Sequence, residues 1–448
     1  MGELDPALLL KSLPKAIREA AATATALRTK RFDDAYFPSS ELRWLASRET
    51  IEAVRERKGD PAVPALVDWL FVLTLLRVNL DATRLVARDW SAARAVRVRQ
   101  PEAAELSVHE AVRRLLTEGR AVREDTLLGL VAAGPMLGDS LIEAAGRTQE
   151  IARRAGLPHV DEVFSPLPAP DRTTLAAELT DETNELAREL LAAGEGLGGM
   201  LPRMTASELA VPFPRALSTA WLSGLFGRET GVFEVPGLSL GTLPAPIGPS
   251  TYLRVFARLG ARYADAATAC EVLPPFGATP AETRRRTYGA VFGSLLGSLP
   301  FLRRVLGFSA REATAARRAY ALVWLAHARL SAGKLLSREA LLSGNAESAR
   351  QQAADHSAQA LYTEIPRALA LVLPRPRITD PGTFAGLLEG AKLAASLRER
   401  FDEDWFRNPR AFGALRDNLA RQEPRQLSID SVREGKRALV TAIVERVS

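Results

Sequence analysis

Few side chains in this 448-residue chain are of the kinds that do chemistry, and their spacing decides what they could do. There are four histidines and one cysteine. His109 and Glu110 begin the pattern His-Glu-x-x-His, in which two imidazoles one helical turn apart bind zinc and the glutamate acts as base. Arg113 stands where the second imidazole would have to be. His327 falls between Trp324 and Leu330 on an apolar helical face, the setting of a core histidine. His356 lies beside Asp355 and six residues before Tyr362, a pair that reads first as solvated helix and second as part of a cleft. Cys270 has no neighbouring base, so a buried apolar thiol is its default reading. The glycines of 196–199 and 237–248 lack the Gly-Lys-Ser/Thr ending that cradles phosphates. The acidic pairs Asp33-Asp34 and Glu403-Asp404 have no partner cluster and are expected to cap or solvate helices.

The stretch that organises the chain is 253–307. Residues 253–266 and 284–307 flank a Pro-rich bend, and both carry apolar residues every three or four positions. Leu253, Phe256 and Leu259 mark the first face, and Tyr288, Val291, Phe292 and Leu295 the second, which predicts two buried helices. Further on come Phe301-Leu302, an Ala- and Arg-rich helical run over 313–342, and the group Phe401, Asp404, Trp405, Asn408, Pro409, Ala411.

Over about 170–420 this order and spacing resembles the thimet oligopeptidase and oligoendopeptidase group of helical zinc peptidases. In that group the first helix carries His-Glu-x-Gly-His and the second supplies a glutamate ligand. Setting Gly260 on the motif glycine places Ala257 and Ala261 over the two histidines and Arg258 over the general base. Thr287, 26 residues beyond Ala261, falls over the glutamate ligand. The resemblance therefore implies a vestigial site at Ala257, Arg258, Gly260, Ala261 and Thr287. A catalytic zinc needs about three protein donors. Alanine has none, a threonine hydroxyl is a poor one, and an arginine cannot accept a proton at neutral pH. The expectation is no metal, no cofactor and no zinc hydrolysis. Tyr252, Tyr263, His356 and Tyr362 are the candidates for lining a retained cleft.

The rest of the chain sets the frame. Hydrophobic residues make up 47% and charged residues 25%, enough apolar material for a large core. The net charge of +6 is thin over this length, and no Lys/Arg run exceeds the three residues Arg284 to Arg286. That argues against nucleic acid as a partner. A single cysteine excludes an internal disulfide and suits a reducing cytoplasm. The N-terminus lacks a signal-peptide pattern, and the apolar stretch 62–76 is interrupted by Pro64 and Asp68, so no membrane role is expected.

Helices are predicted at 1–31 (one or two short ones), 40–58, 64–87, 108–118, 125–133, 138–155, 172–193, 309–343, 347–373 and 383–401. Ser309 and Glu312 have the spacing of a capping box. Only 230–250 has strand character, with short β-like runs at 232–235 and 238–243. The expected fold is mainly α, a large zincin-like helical frame with a small β edge element near 230–250. The expected organisation is an N-terminal helical region (1–165), a peptidase-like region (166–420) and an added C-terminal helix (421–448). The function expected is a catalytically inactive, pseudopeptidase-like protein that binds a polypeptide or scaffolds a partner. An enzyme of another class in the old cleft, or a structural helical subunit, are the alternatives.

Overall fold

A computed structural model describes residues 5–28, 36–57, 63–92, 94–154, 167–191, 197, 249–267, 282–342, 346–421 and 427–447. The N-terminal part contains α1 (Pro6–Arg28), α2 (Arg48–Arg55), α3 (Val63–Ser91), the hairpin β1 (Val96–Val98) and β2 (Ala104–Leu106), α4 (Val108–Thr117) and α5 (Arg120–Arg154). Then come α6 (Ala169–Glu182), α7 (Asn184–Leu190), α8 (Pro249–Ala267), α9 (Glu282–Gly293), α10 (Leu299–Arg304) and α11 (Ala310–Leu342). The chain closes with α12 (Ala346–Leu361), α13 (Asp380–Phe401), α14 (Pro409–Arg421) and α15 (Ile429–Val447).

Three bodies of apolar packing hold these helices, the smallest of them Val86 of α3, Leu141 of α5, Ala353 and Ala354 of α12, and Ala370 and Leu371. Leu13 and Ile17 of α1, Leu42 and Leu45, Ile51 of α2, and Leu70 and Phe71 of α3 form an N-terminal core. A larger core runs from the hairpin and α4 through α8, α9, α11 and α13 to Val432, Leu439 and Ile443 of α15. Leu130 and Leu137 of α5 belong to this larger core, so the N-terminal part is stitched to it.

Local signals explain several boundaries. The capping box at the start of α11 is present: Ser309 N donates to Glu312 Oε2 (2.8 Å) and Glu312 N to Ser309 Oγ (3.3 Å). Ser107 and Glu110 form a second one on α4, which occupies the glutamate of the zinc-like His109-Glu110 pair in capping. The 40–58 segment is not one helix. It is a 3-10 turn over Ser40–Ala46 followed by α2, divided at Ser47, whose side chain accepts from Thr50 N.

Three further expectations are corrected. The 125–133 and 138–155 helices are one continuous α5 with Pro135 inside it. Its glycines mark close approaches rather than breaks: a Cβ on Gly129 would meet Arg97 O at 2.3 Å, and one on Gly134 would meet Ala368 O at 2.1 Å. The helix expected over 172–193 is two, α6 and α7, joined at Thr183. The helix from 347 stops at Leu361, where Tyr362 takes φ 54° and Thr363 N returns to Ala358 O, a Schellman closure. Among the described residues the sheet is the β1–β2 hairpin, in register Val96 to Leu106 and Val98 to Ala104; the β element expected near 230–250 lies outside the described residues. Val96 and Val98 alternate with Arg97 and Arg99, a period of two too short to stand out in the sequence.

Over Arg120–Glu150, α5 is long and apolar enough to cross a membrane by length and composition. In this fold it packs on α3, α4 and β1.

Candidate functional site

The two motif helices cross backbone to backbone. A Cβ on Gly260 of α8 would lie 2.0 Å from Tyr288 O, and one on Gly289 of α9 would lie 2.9 Å from Ala257 O. Only glycine permits such an approach at these positions. The opposite flank of α9 is held equally closely by α13, where a Cβ on Gly386 would meet Thr283 O at 2.4 Å and one on Gly390 would meet Thr287 O at 2.5 Å. The result is a three-helix slab with α9 in the middle.

Helical geometry then sorts the positions that the resemblance marks. Gly289 and Gly293 turn to α8, the latter's Cβ position being 2.7 Å from Leu253 Cδ1. Arg286 and Ala290 meet α13 through their Cβ atoms, and Thr283 and Thr287 share that face at 100° per residue. Thr287 is buried, and its hydroxyl donates to Thr283 O at 2.9 Å. Ala257 and Gly260 thus meet α9 at Tyr288 and Gly289, while Thr287 faces away from them. Ala261 is partly exposed and Arg258 exposed at the edge of α8. The set does not fit zinc. Two members have no donor atom, the third is committed to a backbone carbonyl, and it sits on the wrong face. Among the described residues no group of three or more His, Cys, Asp or Glu could hold a metal.

Tyr252 and Tyr263 are fully buried and line no described cavity. Their rings enter an aromatic cluster that joins the motif helices to the C-terminal segment. Tyr252 stacks on Phe256 (6.4 Å), and Phe256 meets Phe301 edge-on (5.5 Å). Tyr263 stacks on Tyr288 (6.0 Å) and touches Phe292 (5.6 Å) and Phe412 (6.4 Å). Trp405 closes the cluster against Phe292 (6.4 Å) and Phe412 (6.1 Å). Burial raises the Tyr252 and Tyr288 hydroxyls, and pushes Tyr263 up to about 12. These are neutral core tyrosines, and the Tyr288 hydroxyl is spent on Leu415 O and Asn418 Oδ1, both at 3.0 Å.

His356 and Tyr362 lie elsewhere, on α12 and at its end. Burial lowers the His356 imidazole, with Asp355 opposing. The Tyr362 hydroxyl accepts from Arg188 Nε at 3.0 Å. The backbone of His356 packs across Gly333 of α11. The four proposed cleft residues therefore fall in two separate places.

Sequence inspection missed the charged lining between the helices. Burial, then Arg254, Lys334 and Arg286, bring His327 down to about 4. Lys334 is itself lowered by burial, with Arg377, Arg286 and Arg375 adding to the effect and Asp380 opposing it. A chain of cations therefore runs from α8 and α9 along α11 to the segment before α13. No local sequence run signals it, because the cations come from α8, α9, α11 and the 375–377 segment. It leads to a solvent-open pocket of about 550 Å³ lined by α3, α5, α11 and residues 375–379.

Neither a protein-family model nor a curated protein matches the chain. Solved structures do. An oligoendopeptidase F structure covers 100% of this chain and 97% of its own, with TM-score 0.59 and 11% identity. PZ peptidase A, solved with an inhibitor, gives 0.56 and 10% identity over 98% of this chain and 96% of its own. A Bacillus anthracis str. Ames structure assigned as an oligoendopeptidase F gives 0.55 and 9% over 99% and 97%. At these identities the likeness is one of fold. The fold is mainly α and of the oligoendopeptidase kind.

Proposed function

We propose that this protein is a non-hydrolytic, pseudopeptidase-like version of the oligoendopeptidase fold that binds a polypeptide or scaffolds a partner protein. One observation carries the reading. Where the resemblance sets two histidines, a general base and a glutamate, the chain has Ala257, Ala261, Arg258 and Thr287. Without donors no metal activates water, and a guanidinium replaces the group that would take its proton. The surrounding frame is intact, since the aromatic cluster and the glycine-mediated crossings pack these helices closely. Selection that keeps a frame without its chemistry fits binding. The partner is a polypeptide and not nucleic acid or membrane, and the reducing cytoplasm is the compartment that suits a single cysteine.

The test uses purified full-length protein and a panel of short fluorogenic peptides, with zinc and with chelator. The expected result is saturable peptide binding by fluorescence anisotropy and no chelator-sensitive cleavage. Zinc-dependent turnover would sink the proposal.

A further inference from the structure

The cavity between α3, α5 and α11 has one kind of wall and one kind of charge. Leu76, Leu141, Ala145, Leu341 and Ile378 are among its apolar lining, and Arg338, Arg375 and Arg377 line it with positive charge. Among the described lining residues none is acidic. The Arg375 guanidinium is held in place 4.5 Å over the Trp90 ring. Asp380 is buried, accepts from Arg377 N at 2.6 Å, and feels Lys334, Arg338 and Arg377 at once. Glu339, the next acid on α11, is taken by Arg172 through contacts of 3.0 and 2.7 Å. Burial, together with Arg377, brings Arg375 down to about 10, as expected where like charges crowd in a poorly solvated place.

We propose that this cavity binds a free linear carboxylic acid, with its hydrocarbon chain along the α3, α5 and α11 faces and its carboxylate at Arg375 and Arg377. Two features select this occupant. The cations have an apolar surface beside them, so a ligand that satisfies both must be amphiphilic and anionic. The α3, α5 and α11 walls are helix faces, whose backbone amides are spent within the helices; the one non-helical wall is 375–379, which carries the arginines. Thr148 Oγ1 is committed to Ala144 O at 2.7 Å. The amides of a buried peptide would go unpaired there, whereas a hydrocarbon chain has nothing to pair. Size agrees. Counting each chain carbon at about the 30 Å³ of a liquid water, an acid of about ten carbons needs roughly 300 Å³. The cavity volume of about 550 Å³ accommodates it.

The experiment is calorimetric titration of the full chain with decanoate, decanol and decyltrimethylammonium, all below their aggregation ranges. Decanoate is expected to bind saturably at one site, about tenfold or more tightly than either of the others. The double variant Arg375→Gln/Arg377→Gln should lose about the same factor. Ala145→Leu, which narrows the cavity without touching the charge, should also weaken decanoate. The three-ligand comparison on the unmodified protein stands even if a variant folds poorly. Equal binding of the cationic and anionic chains, or no saturable decanoate binding, overturns the proposal. So does an apolar peptide with a free C-terminal carboxylate that displaces decanoate and binds more tightly. None of these results bears on peptide cleavage, so this proposal and the preceding one fail separately.

Discussion

Arg329 is fully buried on α11 and, among the described residues, makes no salt bridge, although the Asp181 carboxylate acts on it. Its guanidinium donates instead to Ala360 O (2.9 Å), Thr180 O (2.5 Å), Thr183 Oγ1 (2.7 Å), Asn184 Oδ1 (3.0 Å) and Gln359 O (2.5 Å). The fork thus fastens α11 to the α6–α7 joint and to the end of α12. Burial brings the group down to about 10, which leaves it charged at neutral pH. Arg329→Met would strand several buried carbonyls and is expected to cost about 3 kcal/mol or more, read as a fall in thermal midpoint. Arg329→Lys keeps the charge without the planar fork and should recover only part of it.

His327, two residues away on the same helix, makes a pH prediction. Its folded value near 4 lies below the ordinary 6.5, so the unfolded chain takes the proton first. Stability is full above about 6.5 and falls as pH drops toward 4, by about 3 kcal/mol at most. His327→Gln should flatten that limb in denaturant titrations from pH 7 to 4. An unchanged limb would show that other groups produce it. The helical face shared by Trp324, His327 and Leu330 already implied an uncharged core imidazole, because the period is local. Nothing near Arg329 in the chain announced its role, since its acceptors lie 30 or 31 residues ahead and 145 to 149 behind.

Among elements, glycine decides where helices touch. Gly260→Ala would drive a methyl into the Tyr288 carbonyl, backbone that cannot turn aside, at a cost of about 1–3 kcal/mol. Gly146 of α5 has nothing within 4 Å of its Cβ position, so Gly146→Ala should stabilise by up to about 1 kcal/mol. Chemical denaturation of the two variants side by side tests the distinction. Opposite signs are expected. The two glycines look alike in the sequence, so the α8–α9 crossing reads there as an ordinary helix pair. The C-terminal helix repeats the device: a Cβ on Gly435 would meet Leu388 O at 2.3 Å. Val432, Leu439 and Ile443 are fully buried, and Lys436 binds Glu178 (2.7 Å) and Glu182 on α6. Truncation after Leu419 should therefore lower the thermal midpoint and expose dye-binding apolar surface, at about 1.5–3 kcal/mol for each of those three side chains. Here the apolar spacing of 429–447 was sufficient to foresee the helix.

For the molecule as a whole, restoring the motif tests how the pieces meet. The variant Ala257→His/Arg258→Glu/Ala261→His/Thr287→Glu supplies every donor the resemblance requires. Thr287 faces α13, however, so a glutamate there is buried beside Gly390 and remote from the α8 imidazoles. The expected protein is destabilised and shows no zinc-dependent rise in thermal midpoint. A rise of several degrees would mean that the three positions do converge. Which residue types are missing could be read from the sequence, as could the mainly helical frame. Which side of α9 each residue occupies could not, because that depends on where α13 packs. The cationic cavity was hidden for the same reason, being assembled from α3, α5, α11 and residues 375–379 only in the folded chain.

The slab of α8, α9 and α13 has a mechanical consequence. Helices that pack through side chains can slide or roll as those side chains change rotamer. Here α9 is held on both flanks by contacts made to its backbone, with no compliant layer between, so it is a key seated in two keyways. Any motion of α8 or α13 must then carry α9 with it, the three moving as one plate. Amide hydrogen exchange would read this directly, with the α9 amides among the slowest in the chain and those of α3 responding when the cavity is filled.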